Sequence, residues 1–358
     1  MASKQVHYNM DSIESKGAIY NLIYGEKSNG KSWQVKHKRG VLKYLKTGKR
    51  FVLLRRWRED ITNLWIEQYF ADVDVAGLTK NKYNCIIVYR KVLYFAIANE
   101  EGKVTRGDKI GYVMALSTEQ HYSGGSFLDV EDIIFEEFQE RGQYLRDESK
   151  KLEILYSTID RKRGVTRVWL VGNAISKINP YIQDWDLDKV IRKQKQGDID
   201  VVTIHNEEND VSIAIEYCKS SGGKQMSIKN QMIDKGIWQS DQQPKLKKSY
   251  KEYKKIFTIG FFFKGFKYLC ELIKDNETGE RIWFIKPYVK DFKEKTVIIS
   301  DVISQSPYWK CDIYNTNFKN QKLNEILKTF REDSIFYSDD LTGTEFKKAI
   351  NFIIRRQL

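Results

Sequence analysis

The rhythm of apolar positions in this chain changes near residue 180. Before it, continuous apolar runs of strand length alternate with longer stretches of helical spacing. The runs at 18–24, 50–54, 133–135 and 166–171 read as buried strands of a parallel sheet. A strand covered by helices on both faces needs no polar alternation. Helices are predicted over 31–45, 62–69 and 152–161. A hairpin over 85–89 and 92–97 turns at Arg90-Lys91, followed by a polar loop at 102–111, a strand at 110–115 and a loop at 117–125. Residues 1–16 read as a polar arm or short helix that could lie against an adenine ring. Asn179-Pro180-Tyr181 breaks the pattern, so the first domain is set at 1–180: α/β, with a mainly parallel central sheet.

Beyond it, strands at 199–204 and 211–216 fall in a basic linker, 181–245. The last domain, 246–358, reads as a smaller, strand-rich α+β unit, mainly antiparallel. Its strands are expected at 256–263, 266–273, 281–287 and 296–301, with a hairpin signal over 275–279. Helices are expected over 320–330 and 344–354. No internal repeat is visible.

The chemistry lies at the ends of these elements. Gly25-Glu26-Lys27-Ser28-Asn29-Gly30-Lys31-Ser32 fits G-x-x-x-x-G-K-[ST] between a strand and a helix, as a phosphate-binding P-loop requires. Glycines let the backbone approach a phosphate, and the helix start adds positive potential. Lys31 is expected on the β- and γ-phosphates of ATP and Ser32 on Mg²⁺. Gly25, Ser28, Asn29, Gly30, Lys31, Ser32 and Trp33 are the candidate nucleotide contacts. The strand at 133–135 ends in Glu136 and Glu137, a Walker B arrangement: Glu136 for the metal, Glu137 for polarising water. Adjacent strand residues face opposite ways, so the chain must leave strand geometry there for both to serve one site. Asn173 closes the strand 166–173 and is placed to sense the γ-phosphate or orient water; its alternative is to cap the next helix. Arg55, Arg56 and Arg58 follow another strand end and are candidates for phosphate or neighbouring-subunit contacts, or for a solvated cluster.

Charge adds a partner class. Lys+Arg 61 against Asp+Glu 48 give a formal +13, which suits a polyanion. The stretch 217–260 holds ten lysines; Lys219, Lys224, Lys229, Lys245, Lys247 and Lys248 are the candidate contacts to nucleic-acid phosphates, with a solvated surface as the alternative. Four widely spaced cysteines form no zinc pattern and fit a reducing compartment. No apolar segment suggests a leader or a membrane span.

The loop Gly25–Ser32, the acids after 133–135 and the run 170–176 leading into Asn179-Pro180-Tyr181 resemble the DNA encapsidation ATPases of small tailed podophages, the packaging motors of Bacillus phages and their relatives. The resemblance covers roughly 15–185. It implies an ASCE-type ATPase akin to large terminases, assembled as a homopentameric ring on the portal of an empty prohead. Such a ring pumps double-stranded DNA, in some relatives through a structural RNA. It implies a decayed RNase H-like nuclease as the last domain. It also implies a location in the host cytoplasm, at the portal vertex, outside the mature virion. A ring motor calls for an arginine acting in trans; Arg163, then Arg161, are the candidates, with a solvated basic turn as the alternative. The pattern departs from the family at Glu136, where an Asp is usual, so Glu136 and Glu137 could exchange roles. Rival readings are a terminase with a live nuclease using Asp275, Asp301 and Asp312, a structural nucleic-acid-binding component with a vestigial P-loop, and a helicase.

Overall fold

A computed structural model describes residues 8–140, 144–174, 176–205, 210–219, 242–293, 296–300, 308–310 and 334–357. The chain divides into two units, 1–175 with 190–237, and 176–189 with 238–358. Among the described residues no helix is long and apolar enough to cross a membrane.

The first unit is a nine-stranded mixed sheet. Its strands are β1 (Tyr20–Gly25), β2 (Arg50–Arg55), β3 (Cys85–Tyr89), β4 (Val92–Ala98), β5 (Val104–Ala115), β6 (Val130–Glu136), β7 (Arg167–Asn173), β8 (Ile199–His205) and β9 (Asp210–Tyr217). They lie in the order β3-β4-β5-β2-β6-β7-β1-β9-β8. The six strands from β5 to β9 are parallel, and β3, β4 and β8 add antiparallel pairs at the edges. Every residue of β1 is buried, including the one polar member, Asn21, whose Nδ2 donates to the carbonyls of Ala18 and Val168 at 3.1 and 3.3 Å.

Two expectations fail here. The linker at 181–245 contains part of this sheet: β9 pairs in parallel with β1, Tyr20 opposite Ile213. Alternation in β8, with every second residue exposed, marks a sheet edge rather than a connector. The polar loop at 102–111 is largely β5, which starts at Val104 and runs out beyond the core, so most of its first six residues are exposed.

Helices follow the predicted phases. The helix after β1 runs continuously over 31–47, with π-helical bonding at Lys36–Leu42, where Gly40 meets the ring of Phe51. Thr62 caps the helix Asn63–Phe70 by accepting from Trp65 N–H at 3.1 Å. The helix Glu148–Asp160 begins earlier than expected. The polar arm forms only one helical turn, Asp11–Glu14.

The second unit holds β10 (Tyr253–Phe263), β11 (Phe266–Asp275), β12 (Arg281–Pro287), β13 (Val297–Ser300), β14 (Trp309–Lys310) and β15 (Ile335–Tyr337), in the order β14-β13-β10-β11-β12-β15. β10–β12 form the expected antiparallel meander. The flanking pairs β10–β13, β13–β14 and β12–β15 are parallel, so the sheet is mixed rather than mainly antiparallel. Asp275 turns the β11–β12 hairpin by accepting from the N–H groups of Glu277 and Thr278 at 2.8 and 3.1 Å. The helix Asp340–Gln357 packs Phe346 onto Phe261 and Tyr268. The helix expected at 320–330, with Asp301 and Asp312, lies outside the described residues.

Candidate nucleotide site

The carboxyl ends of β1, β6 and β7 converge on a cleft of about 280 Å³, lined by 27–33, Glu136, Glu137 and 171–173. Register explains the convergence: Gly25 lies opposite Asn173, and Glu136 opposite Val171. Gly25 is required by packing, because a Cβ there would stand 3.0 Å from the Cβ of Cys218, just past β9. Gly30 has φ +92° as the chain enters the helix, a turn that favours glycine.

Lys31 is buried beneath this loop. Its ammonium donates to the carbonyl of Glu26 and, at 3.0 Å, to Asn29 Oδ1. Burial pushes its pKa down, with Cys218, Glu136 and Glu26 opposing. Ser32 Oγ donates to Glu136 Oε2 at 2.8 Å, across 104 residues of sequence. Tyr69 OH donates to Glu136 Oε1 at 2.7 Å. Burial pushes Glu136 above the usual carboxylate range, and these two hydrogen bonds pull it back. Glu137 has φ +58°, so the chain does leave strand geometry at this point, and its exposed carboxylate meets Arg55 Nη2 at 2.9 Å. Trp33, on the rim, stacks on His37 at 4.5 Å. Asn173 lines the cleft; the cap of the next helix is Asn179, which accepts from Ile182 N–H at 3.1 Å.

Tyr69 escaped the sequence reading because nothing in a helical Tyr announces a partner on another strand. It is set by neighbours: Lys36 donates to its carbonyl and stands 4.6 Å from its ring centroid, and Trp65 stacks on it at 5.1 Å. Arg56 corrects the expectation of a phosphate contact or a solvated cluster. Only 2% exposed, it grips Glu148 through Nε and Nη2 at 2.8 Å each and donates to the carbonyls of Glu137 and Phe138 at 3.1 and 2.7 Å. It therefore fixes the backbone that follows β6. The arm approaches the loop through Tyr8 N–H, which donates to the Asn29 carbonyl at 3.1 Å.

Arg161 and Arg163 stand at the other edge of the sheet, beside the starts of β6 and β7. Arg163 donates to the carbonyls of Leu128 and Val130 at 2.6 and 2.8 Å, and to those of Ile159 and Asp160. Arg161 donates to the Gly125 carbonyl at 2.6 Å. Arg161 and Lys162 are exposed and Arg163 is half-buried, so the turn is solvated while both of its arginines hold backbone carbonyls. The length of β7, at ~3.3 Å per residue or about 20 Å in all, separates them from their own cleft.

The lysine candidates do not gather. Lys245 pairs with Asp340 at 3.0 Å, and Lys248 with Asp275 and Glu277 at 3.1 and 2.6 Å. Those pairs hold Lys248 above the ordinary ammonium range. Lys219 and Lys247 are exposed. Lys224 and Lys229 lie outside the described residues.

Comparison with known proteins gives one family: the model described as Podovirus DNA encapsidation protein (Gp16) matches residues 2–270. The DNA packaging protein of Bacillus phage phi29 is 25% identical over 267 residues, 72% of this chain and 73% of that protein. The DNA packaging protein of Bacillus phage B103 is 28% identical over 179 residues, 49% of this chain and 50% of that one. Among solved structures, a chain of the bacteriophage Phi-29 viral genome packaging motor assembly aligns with TM-score 0.51 and 19% identity, over 98% of this chain and 99% of that chain. At that identity the likeness is one of fold.

Proposed function

The chain belongs to the podovirus DNA encapsidation protein family, and from that membership and the carboxyl-edge cleft we propose an ATPase that drives double-stranded viral DNA into a preformed prohead. The observation that carries the reading is the Ser32–Glu136 hydrogen bond at the mouth of the loop Gly25–Ser32. It joins the hydroxyl and the carboxylate that a P-loop site needs on one Mg²⁺ ion. The donor set fits: a hydroxyl and a carboxylate meet beside the N–H groups of a helix start, with Lys31 beneath. Bound Mg²⁺ would neutralise charge on the phosphate oxygens of ATP. Lys31 would exchange its carbonyl and amide partners for those oxygens. Tyr69 and Ser32 hold the Glu136 carboxylate in one orientation. Glu137 would accept the proton of attacking water once clear of Arg55, and Asn173 would orient that water. Exchanging the roles of Glu136 and Glu137 finds no support, since only Glu136 meets Ser32.

Arg161 or Arg163 would act on a neighbouring subunit, which their distance from their own cleft supports. Either must release backbone carbonyls to do so. Duplex DNA and the portal are the proposed partners, in a homopentameric ring with a structural RNA as a further component, in the host cytoplasm at the portal vertex. For the second unit we propose a decayed RNase H-like nuclease. Its support is the order β12-β11-β10-β13-β14, a meander followed by two strands parallel to the first. The central strand β10 carries no carboxylate over Tyr253–Phe263, so it offers a metal no ligand.

The test is packaging by reconstituted proheads. Parent chain is expected to internalise DNA only with ATP and Mg²⁺. DNA uptake by Lys31→Ala rings at the parent rate would refute the reading.

A further inference from the structure

A second cavity, about 240 Å³, opens on the same sheet edge, beyond β2 as seen from the nucleotide cleft. Its walls are the β3–β4 turn, the end of β5, the segment after β2, and the start of the helix Asn63–Phe70. Arg58, Arg90 and Lys91 line it, and no carboxylate does. All three are exposed, and none has an ion pair among the described residues. Lys245 and Lys248, by contrast, are paired.

The turn itself is informative. β3 and β4 close at Tyr89 opposite Val92, leaving Arg90 and Lys91 as a two-residue loop with φ +49° and +65°. Such a turn favours Asn-Gly, because both positions are left-handed. Two long cations occupy it against that local preference, the kind of backbone cost found where a side chain is in use. The turn is anchored, since Val113 N–H of β5 donates to the Lys91 carbonyl at 2.8 Å. On another wall Tyr122 OH accepts from Ala115 N–H at 3.2 Å and lies 3.1 Å from Thr118 Oγ1. The start of the eight-residue helix Asn63–Phe70 adds positive potential.

We propose that this cavity holds a backbone phosphate of duplex DNA on Arg58, Arg90 and Lys91. The proposal rests on the reading that the chain moves DNA. A cavity with three unpaired cations suits an anion, and the ring of Tyr122 already faces Lys91 Nζ at 5.9 Å rather than an open stacking slot. Contact by charge alone reads no sequence, as a protein moving along a duplex requires.

The test uses the full chain carrying Arg90→Asn and Lys91→Gly together, which suits the turn and removes both charges. Its Tm is expected to equal or exceed the parent's. Affinity for a mixed-sequence duplex should fall about tenfold at low salt, and the plot of log affinity against log salt should flatten by about 1–2 units of slope. ATP hydrolysis without DNA should be unchanged. If the double variant loses stability, Arg58→Gln removes one cation from a different element and should flatten the slope by about 1. Parent affinity and slope in both variants would overturn the site. A loss confined to duplex RNA would overturn the choice of DNA. A parent chain without salt-dependent duplex affinity would overturn the DNA-moving reading, and the site with it.

Discussion

The nucleotide cleft and the lysine-rich stretch 219–255 are both polar, but they are assembled in opposite ways. Residues of the cleft come from far apart: Ser32, Tyr69, Glu136 and Asn173 meet at strand and helix ends. Lysines of the stretch are neighbours in sequence, yet Lys245 and Lys248 disperse onto acids supplied by Asp340 and by the turn at Asp275 and Glu277. Motif spacing encodes convergence because strand ends in a parallel sheet face one crevice. Composition counts charges without saying which are already answered. Arg58, Arg90 and Lys91, which line one cavity, have no ion pair among the described residues, and of the three only Arg58 stands in a basic cluster visible in the sequence.

Substitutions can break this contrast, and the largest effect belongs in the cleft. Lys31→Ala should lower ATP turnover by roughly 100- to 1,000-fold, since it removes a positive charge where negative charge develops. A steady-state assay near the parent rate would remove the loop from the chemistry.

Next comes the support beneath Glu137. Arg56→Ala removes the guanidinium that Glu148, fully buried, meets at 2.8 Å, and should cost about 3–5 kcal/mol in urea unfolding. A loss under 1 kcal/mol would mean the pair is not the clamp described above.

Glu345 offers an effect in the second unit. Burial pushes its carboxyl up to about 7, while Tyr268 OH donates to it at 3.4 Å. A carboxyl raised in the folded state contributes stability fully below its unfolded value near 4.5, and that stability is lost as pH rises through 7. Stability should therefore drop by on the order of 3 kcal/mol between pH 4.5 and pH 8. Glu345→Gln should flatten that profile when hydrogen exchange is followed in β10–β12. An unchanged profile would place the titrating group elsewhere.

The smallest effect should come from the stretch that looked most basic. Lys245→Gln with Lys248→Gln should change duplex affinity less than the β3–β4 turn variant does. A larger loss, with a flatter salt slope, would restore the lysine stretch as the DNA contact.

Much of the cleft was legible beforehand. β1, β6 and β7 were visible as apolar runs, and each ends at the residue singled out: Gly25, Glu136 and Asn173. Those are local patterns of period and termination. β9 was read as a strand but not as the neighbour of β1, because pairing between distant segments leaves no local trace. Arg56 looked like part of a basic surface cluster; its burial depends on Glu148, 92 residues away. The same limit hid Tyr69, whose hydroxyl meets a carboxylate 67 residues on.

In the proposed chemistry Glu136 and Glu137 divide one task, with Glu136 on the metal side and Glu137 on the water side. Measuring nucleotide affinity and single-turnover hydrolysis together in Glu137→Gln tests it most directly. The amide keeps the shape of the carboxylate but cannot take a proton. ATP affinity should stay close to the parent's, with hydrolysis slowed roughly 100-fold or more. Hydrolysis at the parent rate in Glu137→Gln, with Glu136→Gln inactive but still binding ATP, would contradict that division.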